Sequence, residues 1–171
     1  MRRMLAVAAV GLVGAGSAEA GRATCRAVVL NLTPFEQTTV RRALDLARAK
    51  LLSPGCPQVY ADFERPDGGT PQDELVRLGI GPEEFLETLV FTDGSREPVC
   101  RMGRAVLTTK PGTGLIFVCP GFATFHLRQP GTSACLIIHE SLHALGLGED
   151  PPRSGEITQR VEQRCWRTPQ R

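Results

Sequence analysis

His139 and His143 stand four residues apart around Glu140, in the stretch HESLHALGLGED that runs to Asp150. On a helix this spacing puts two imidazoles one turn apart on the same face, where both can aim a ring nitrogen at one cation about 2 Å away. Glu140, beside the first histidine, is near enough to hold a metal-bound water without being a ligand. Zinc in such a place lowers the pKa of its water towards about 7, and the neighbouring carboxylate takes the proton as the water attacks a carbonyl. A catalytic zinc site of this kind uses three protein ligands and keeps one position open. The chain has three histidines, so only His126 is left as an imidazole and a carboxylate is the better source of the third ligand. Gly146 can adopt positive φ and reverse the chain, bringing Glu149 back towards the pair. Asp150 competes from the next position, and Glu156 and His126 are more distant alternatives.

The segment that must carry these groups, residues 132–145, is apolar nearly all round from Ala134 to Ile138, the pattern of a buried helix. Glu140 is its only acid. A buried carboxylate without a partner costs several kcal/mol, and a dication held by two histidines removes that difficulty. Gly146 and Gly148 can end the helix, Pro151-Pro152 prevent its continuation, and Ser154 can cap a last helix whose Ile157, Val161 and Cys165 share a face. At the other end of the chain, residues 27–32 read as a strand. Thr33-Pro34-Phe35-Glu36 is a capping box with proline at the first helical position, opening a helix over 34–52 with Val40, Ala43, Leu44, Ala47 and Leu51 on one face. In between, the pattern predicts a second strand over 58–63, a loop over 65–70, and short helices over 71–78 and 82–89. A hairpin of strands 105–109 and 115–119 follows, then a helical turn or loop over 122–127. Early strands, helices at both ends and no regular alternation predict an α+β fold rather than a doubly wound sheet.

Arg2 and Arg3, an apolar run from Met4 to Val13 and the sequence Ala18-Glu19-Ala20 have the form of a signal peptide over residues 1–20. The run is shorter than the roughly 18 residues of a membrane span, so the mature chain, residues 21–171, is expected to be secreted, extracellular or periplasmic, without a membrane anchor. Cleavage there would take the formal charge from +2 to +1, which argues against a nucleic-acid partner held mainly by charge. Six cysteines, an even number, predict three disulfides in an exported chain, with connectivity left open. The remaining length suits one domain, expected to act as a monomer.

His139-Glu140-x-x-His143 is the motif of the zincin metalloproteases, and Gly146 with Glu149 is similar to the extended frame of the metzincins and of small secreted snapalysin-like proteases. The run Ile116-Phe117-Val118-Cys119-Pro120-Gly121-Phe122 also resembles the deuterolysin type, and the stretch from about Leu115 to Thr158 resembles secreted bacterial proteins described as zinc metalloproteases. No methionine follows Met102, so the metzincin Met-turn is absent, and the Gly-Thr-x-Asp ligand segment of deuterolysins is missing too. The resemblance implies a zincin-like single domain: a twisted mixed sheet, a backing helix over 34–52 and a buried active-site helix. It also implies that an edge strand over 115–118 pairs with an extended peptide.

Two functional expectations follow. In the first, the chain is a secreted Zn2+-dependent metalloendopeptidase of peptide or protein substrates, with His139, His143 and Glu149 as metal ligands and Glu140 as catalytic base. In the second, the same site is degenerate and zinc only stabilises an exported binding domain. Tyr60 and Trp166 are expected in packing roles, Trp166 over a disulfide, and His126 as a partly buried loop residue.

Overall fold

Thr33 caps the first long helix in the expected way: its hydroxyl accepts from the Glu36 amide at 3.3 Å, and the Glu36 carboxylate accepts from the Thr33 amide at 3.0 Å. The structure, a computed structural model, describes residues 26–166, so the leader expected over 1–20 and Cys25 lie outside the described residues. The helix, α1 (Pro34–Leu51), buries Val40, Ala43, Leu44, Ala47 and Leu51, the face set by their spacing. It follows β1 (Val28–Val29), shorter than the strand expected over 27–32.

The strand expected over 58–63 is instead a 3-10 helix (Cys56–Ala61). Gly55 at φ 92° turns the chain, Pro57 removes a strand donor, and Cys56 is bonded to Cys165, so local geometry and a covalent tie override the strand preference of Val59 and Tyr60. Next come α2 (Pro71–Leu78), as expected, and α3 (Pro82–Leu86), which ends three residues short of the helix expected over 82–89. A strand with no counterpart in the sequence reading follows directly, β2 (Val90–Asp93). Then come α4 (Pro98–Arg101), β3 (Leu107–Thr109), β4 (Leu115–Val118), α5 (Phe122–Arg128), α6 (Pro130–Ala144) and α7 (Ser154–Cys165).

The sheet order is β1-β2-β4-β3, with β1, β2 and β4 parallel and β3 antiparallel to β4. β4 therefore lies inside the sheet, paired on both sides, and cannot be the edge expected over 115–118; the edge on that side is β3. Helix α6 packs against β3 and β4 and is flanked by α1, α5 and α7. Ile137, Ile138 and Leu142 are fully buried there, each contributing about 1.5–3 kcal/mol of apolar burial. The result is an α+β domain with one core. No helix among the described residues is long and apolar enough to cross a membrane.

Two disulfides are formed, Cys56–Cys165 and Cys100–Cys119. Of the three expected, the last is not found among the described residues, where Cys135 is a buried thiol. Burial, reinforced by Glu162, pushes that thiol up to about 12.

Candidate metal centre

Helix α6 presents His139 and His143 on one face as their spacing requires, with the two Nε2 atoms 2.9 Å apart. Leu145 ends the helix, Gly146 takes φ 97°, and the Leu147 amide returns to the Leu142 carbonyl at 3.1 Å. Leu147 is fully buried, so the turn is anchored in the core before the chain emerges at Glu149. Glu149 Oε1 then lies 3.2 Å from His143 Nε2 and 4.0 Å from His139 Nε2. His139, His143 and Glu149 are the one group of metal-ligating side chains found among the described residues, their ligand atoms within 4.8 Å of one another.

The hydrogen bonds behind the rings decide what their front atoms can do. His143 Nδ1 lies 2.7 Å from the Leu147 carbonyl, which only accepts, so Nδ1 is assigned a proton and Nε2 is the atom turned towards the cluster. His139 Nδ1 is 2.9 Å from Thr158 Oγ1, a second partner of the kind that orients metal-binding imidazoles. Burial, then the neighbouring His143, lowers His139 to about 3, so its ring is neutral near pH 7 in the metal-free chain. Two imidazole nitrogens and a carboxylate oxygen thus converge within 4.8 Å of one another. One cation could be shared by all three.

Glu140 is 7% exposed and lines both cavities beside the centre, one of about 380 Å³ that also reaches His143 and Glu149, the other of about 270 Å³ that reaches His139. Burial first, and Glu149 second, raise its carboxyl to about 8, against a backbone hydrogen bond from Thr109. Leu107 of the edge strand β3 and Arg104 line both cavities as well. The histidines are buried while the Glu149 side chain is 56% exposed, so the cluster opens to the cleft on the glutamate side. A separate cavity of about 500 Å³, lined by Gln129, Cys135, Glu162 and Trp166 among others, includes none of these residues.

The other candidates fall elsewhere. Asp150 is exposed and outside the group. The Glu156 carboxylate accepts from the Arg153 amide at 3.0 Å, capping α7. His126 is buried on α5, with Nδ1 2.7 Å from Ser133 Oγ, and burial lowers its pKa. Trp166 packs at the core's edge beside bridged Cys165, under the Lys50 ammonium, 5.2 Å from the ring centroid.

Three supports escaped the sequence reading. Thr158 and the Leu147 carbonyl orient the imidazoles. Ser141, inside HESLH, donates to the Ile138 carbonyl, so Tyr60 donates to it across 2.6 Å, and burial raises the Tyr60 pKa. Ser141 is the one uncharged polar residue inside the motif, and that was the available signal.

Compared with protein-family models, with curated proteins and with solved structures, the chain matches none.

Proposed function

We propose that the chain is an exported zinc-dependent metalloendopeptidase. The observation that carries this reading is the convergence of His139, His143 and Glu149 beside a buried Glu140, in a cleft bordered by the edge strand β3. His139 and His143 would hold the ion through Nε2 and Glu149 through a carboxylate oxygen. Bound zinc supplies Lewis acidity, acidifying a water and polarising a peptide carbonyl. Glu140 takes the proton from the attacking water on its carboxylate and passes it to the leaving amine. β3 offers an extended peptide a backbone ladder alongside these groups. Two disulfides and the leader-like N-terminus support export to an oxidising compartment.

The second reading, a zinc-stabilised binding domain, draws support from the burial of Glu140 and from its hydrogen bond to Thr109, which leave the carboxylate less free for water. Metal content and hydrolysis of a peptide library, measured for wild type and Glu140→Gln, separate the two. The protease reading expects about one zinc per chain in both and turnover only in wild type; retained hydrolysis in the variant removes Glu140 from the mechanism. Zinc without turnover in wild type supports the binding domain, and no zinc in folded wild type ends both readings.

A further inference from the structure

The turn that delivers Glu149 passes beneath a loop that has its own clamp. Arg65 Nη1 donates to the Leu145 carbonyl at 3.1 Å, satisfying one of the orphan acceptors at the C-terminus of α6, where a cation also complements the helix dipole. The same guanidinium pairs with Asp67 at 2.8 Å and Glu74 at 3.5 Å, so one planar group joins the end of α6, its own loop and helix α2. The loop is closed on itself by Arg65 N to Gly69 O at 2.7 Å and Gly68 N to Arg65 O at 2.9 Å. Its contact with the turn is close. A Cβ on Gly146 would stand 3.4 Å from Arg65 Cδ, and one on Gly148 would stand 3.5 Å from Pro66 Cγ. The Arg65 side chain is only 15% exposed, and its Nε is buried without a hydrogen-bond partner among the described residues.

We propose that Arg65 is a positioning residue for the metal centre: it locks the Gly146 turn so that Glu149 is held against the His139–His143 pair. The inference rests on the reading of that trio as a metal site. His139 and His143 are placed by the helix itself. Glu149 is four residues beyond Leu145 on an exposed side chain, and its approach depends on Leu147 in the core and on the Arg65 clamp at the start of the turn. Loss of the clamp widens the set of positions open to Glu149 without touching either imidazole.

The test uses full-length protein and two metals alone, zinc by competition titration and Co2+ by its visible absorption. Arg65→Met is expected to weaken zinc binding about 10–100-fold, the usual cost of losing an outer support of a ligand. It should also shift the Co2+ spectrum towards that of Glu149→Ala. Arg65→Lys keeps the charge beside Asp67 and Glu74, but one ammonium cannot also reproduce the fork to Leu145, so it should weaken zinc in the same direction; it serves if the methionine variant does not fold. Arg164→Met, which removes an ion pair elsewhere, is the control: melting temperature falls while zinc affinity and the Co2+ spectrum stay at wild-type values. A folded Arg65 variant with wild-type affinity and spectrum overturns the clamp alone. Wild type that takes up neither metal overturns the metal centre, and the clamp with it.

Discussion

Arg65 and Arg164 each tie together segments far apart in the chain, and they differ in what else holds those segments. Arg164 donates to both oxygens of Asp62, at 2.7 and 2.6 Å, and to Gln58 at 2.9 Å, joining α7 to the 3-10 helix region. The next residue, Cys165, is already bonded to Cys56 in that same helix. Arg65 joins its loop to the end of α6 through a single donor to Leu145, with no covalent tie alongside. The scaffold side is held by a disulfide as well as an ion pair, while the turn that delivers Glu149 is held without a covalent tie, by hydrogen bonds and by buried Leu147. Damage should therefore show as lost stability on the first side and as lost metal affinity on the second.

The largest test of that contrast is removal of Cys56–Cys165. Its half-cystines are 109 residues apart, against 19 for Cys100–Cys119. Chain-entropy arguments put the two at about 4.7 and 3 kcal/mol. Replacing each pair by alanine should lower the melting temperature in that order, with zinc affinity at low temperature unchanged by loss of the first. Equal destabilisation, or zinc binding lost with Cys56–Cys165 in a folded variant, would erase the distinction between scaffold and site.

A smaller effect belongs to the buried acid and base of the site. With its pKa raised from 4.5 to about 8, Glu140 keeps its proton in the metal-free fold where the unfolded chain has lost it, so the fold is weakened as pH rises through that interval. His139, lowered from 6.5 to about 3, acts oppositely: the unfolded chain takes up a proton that the fold refuses, and stability is lost as pH falls from 6.5 towards 3. Between 4.5 and 6.5 the two slopes oppose each other, and above 6.5 only that of Glu140 remains. Metal-free wild type should lose on the order of 2 kcal/mol between pH 6.5 and 8, at about 1.4 kcal/mol per unit. Glu140→Gln should remove that fall, and zinc should reduce it, because a nearby dication favours the charged carboxylate. Chelated melts at the two pH values measure it; a wild type as stable at pH 8 as at 6.5 would mean that Glu140 is already ionised in the fold.

What the sequence made legible is whatever depends on near neighbours. The capping box of α1, the pairing of His139 with His143 and the Gly146 reversal that brings Glu149 round all act within a few residues. Arg65 and Thr158 reach the site by tertiary contact, from 80 residues before Leu145 and from the far side of a turn, and no local pattern marks them. β2 starts directly after Leu89 with no glycine or proline to announce it, so its apolar run merges with the helix before it. Strand order is also invisible locally: β4 looks like an edge until β2 is known to lie beside it.

The smallest effect asks whether the scaffold reaches into the site at all. Tyr60, on the 3-10 helix tied by Cys56, donates to Ser141 between the two histidines of α6. Tyr60→Phe removes that donor but leaves Ser141 bonded to Ile138, so no buried hydroxyl is stranded, and the cost should be about 1 kcal/mol. If α6 is rigid enough to place its histidines unaided, zinc affinity should stay within about twofold of wild type, since neither imidazole loses its Nδ1 partner. A tenfold loss of affinity at that small stability cost would show that the scaffold sets the imidazole geometry through Ser141. The doubly held side would then be part of the metal site, and not merely its support.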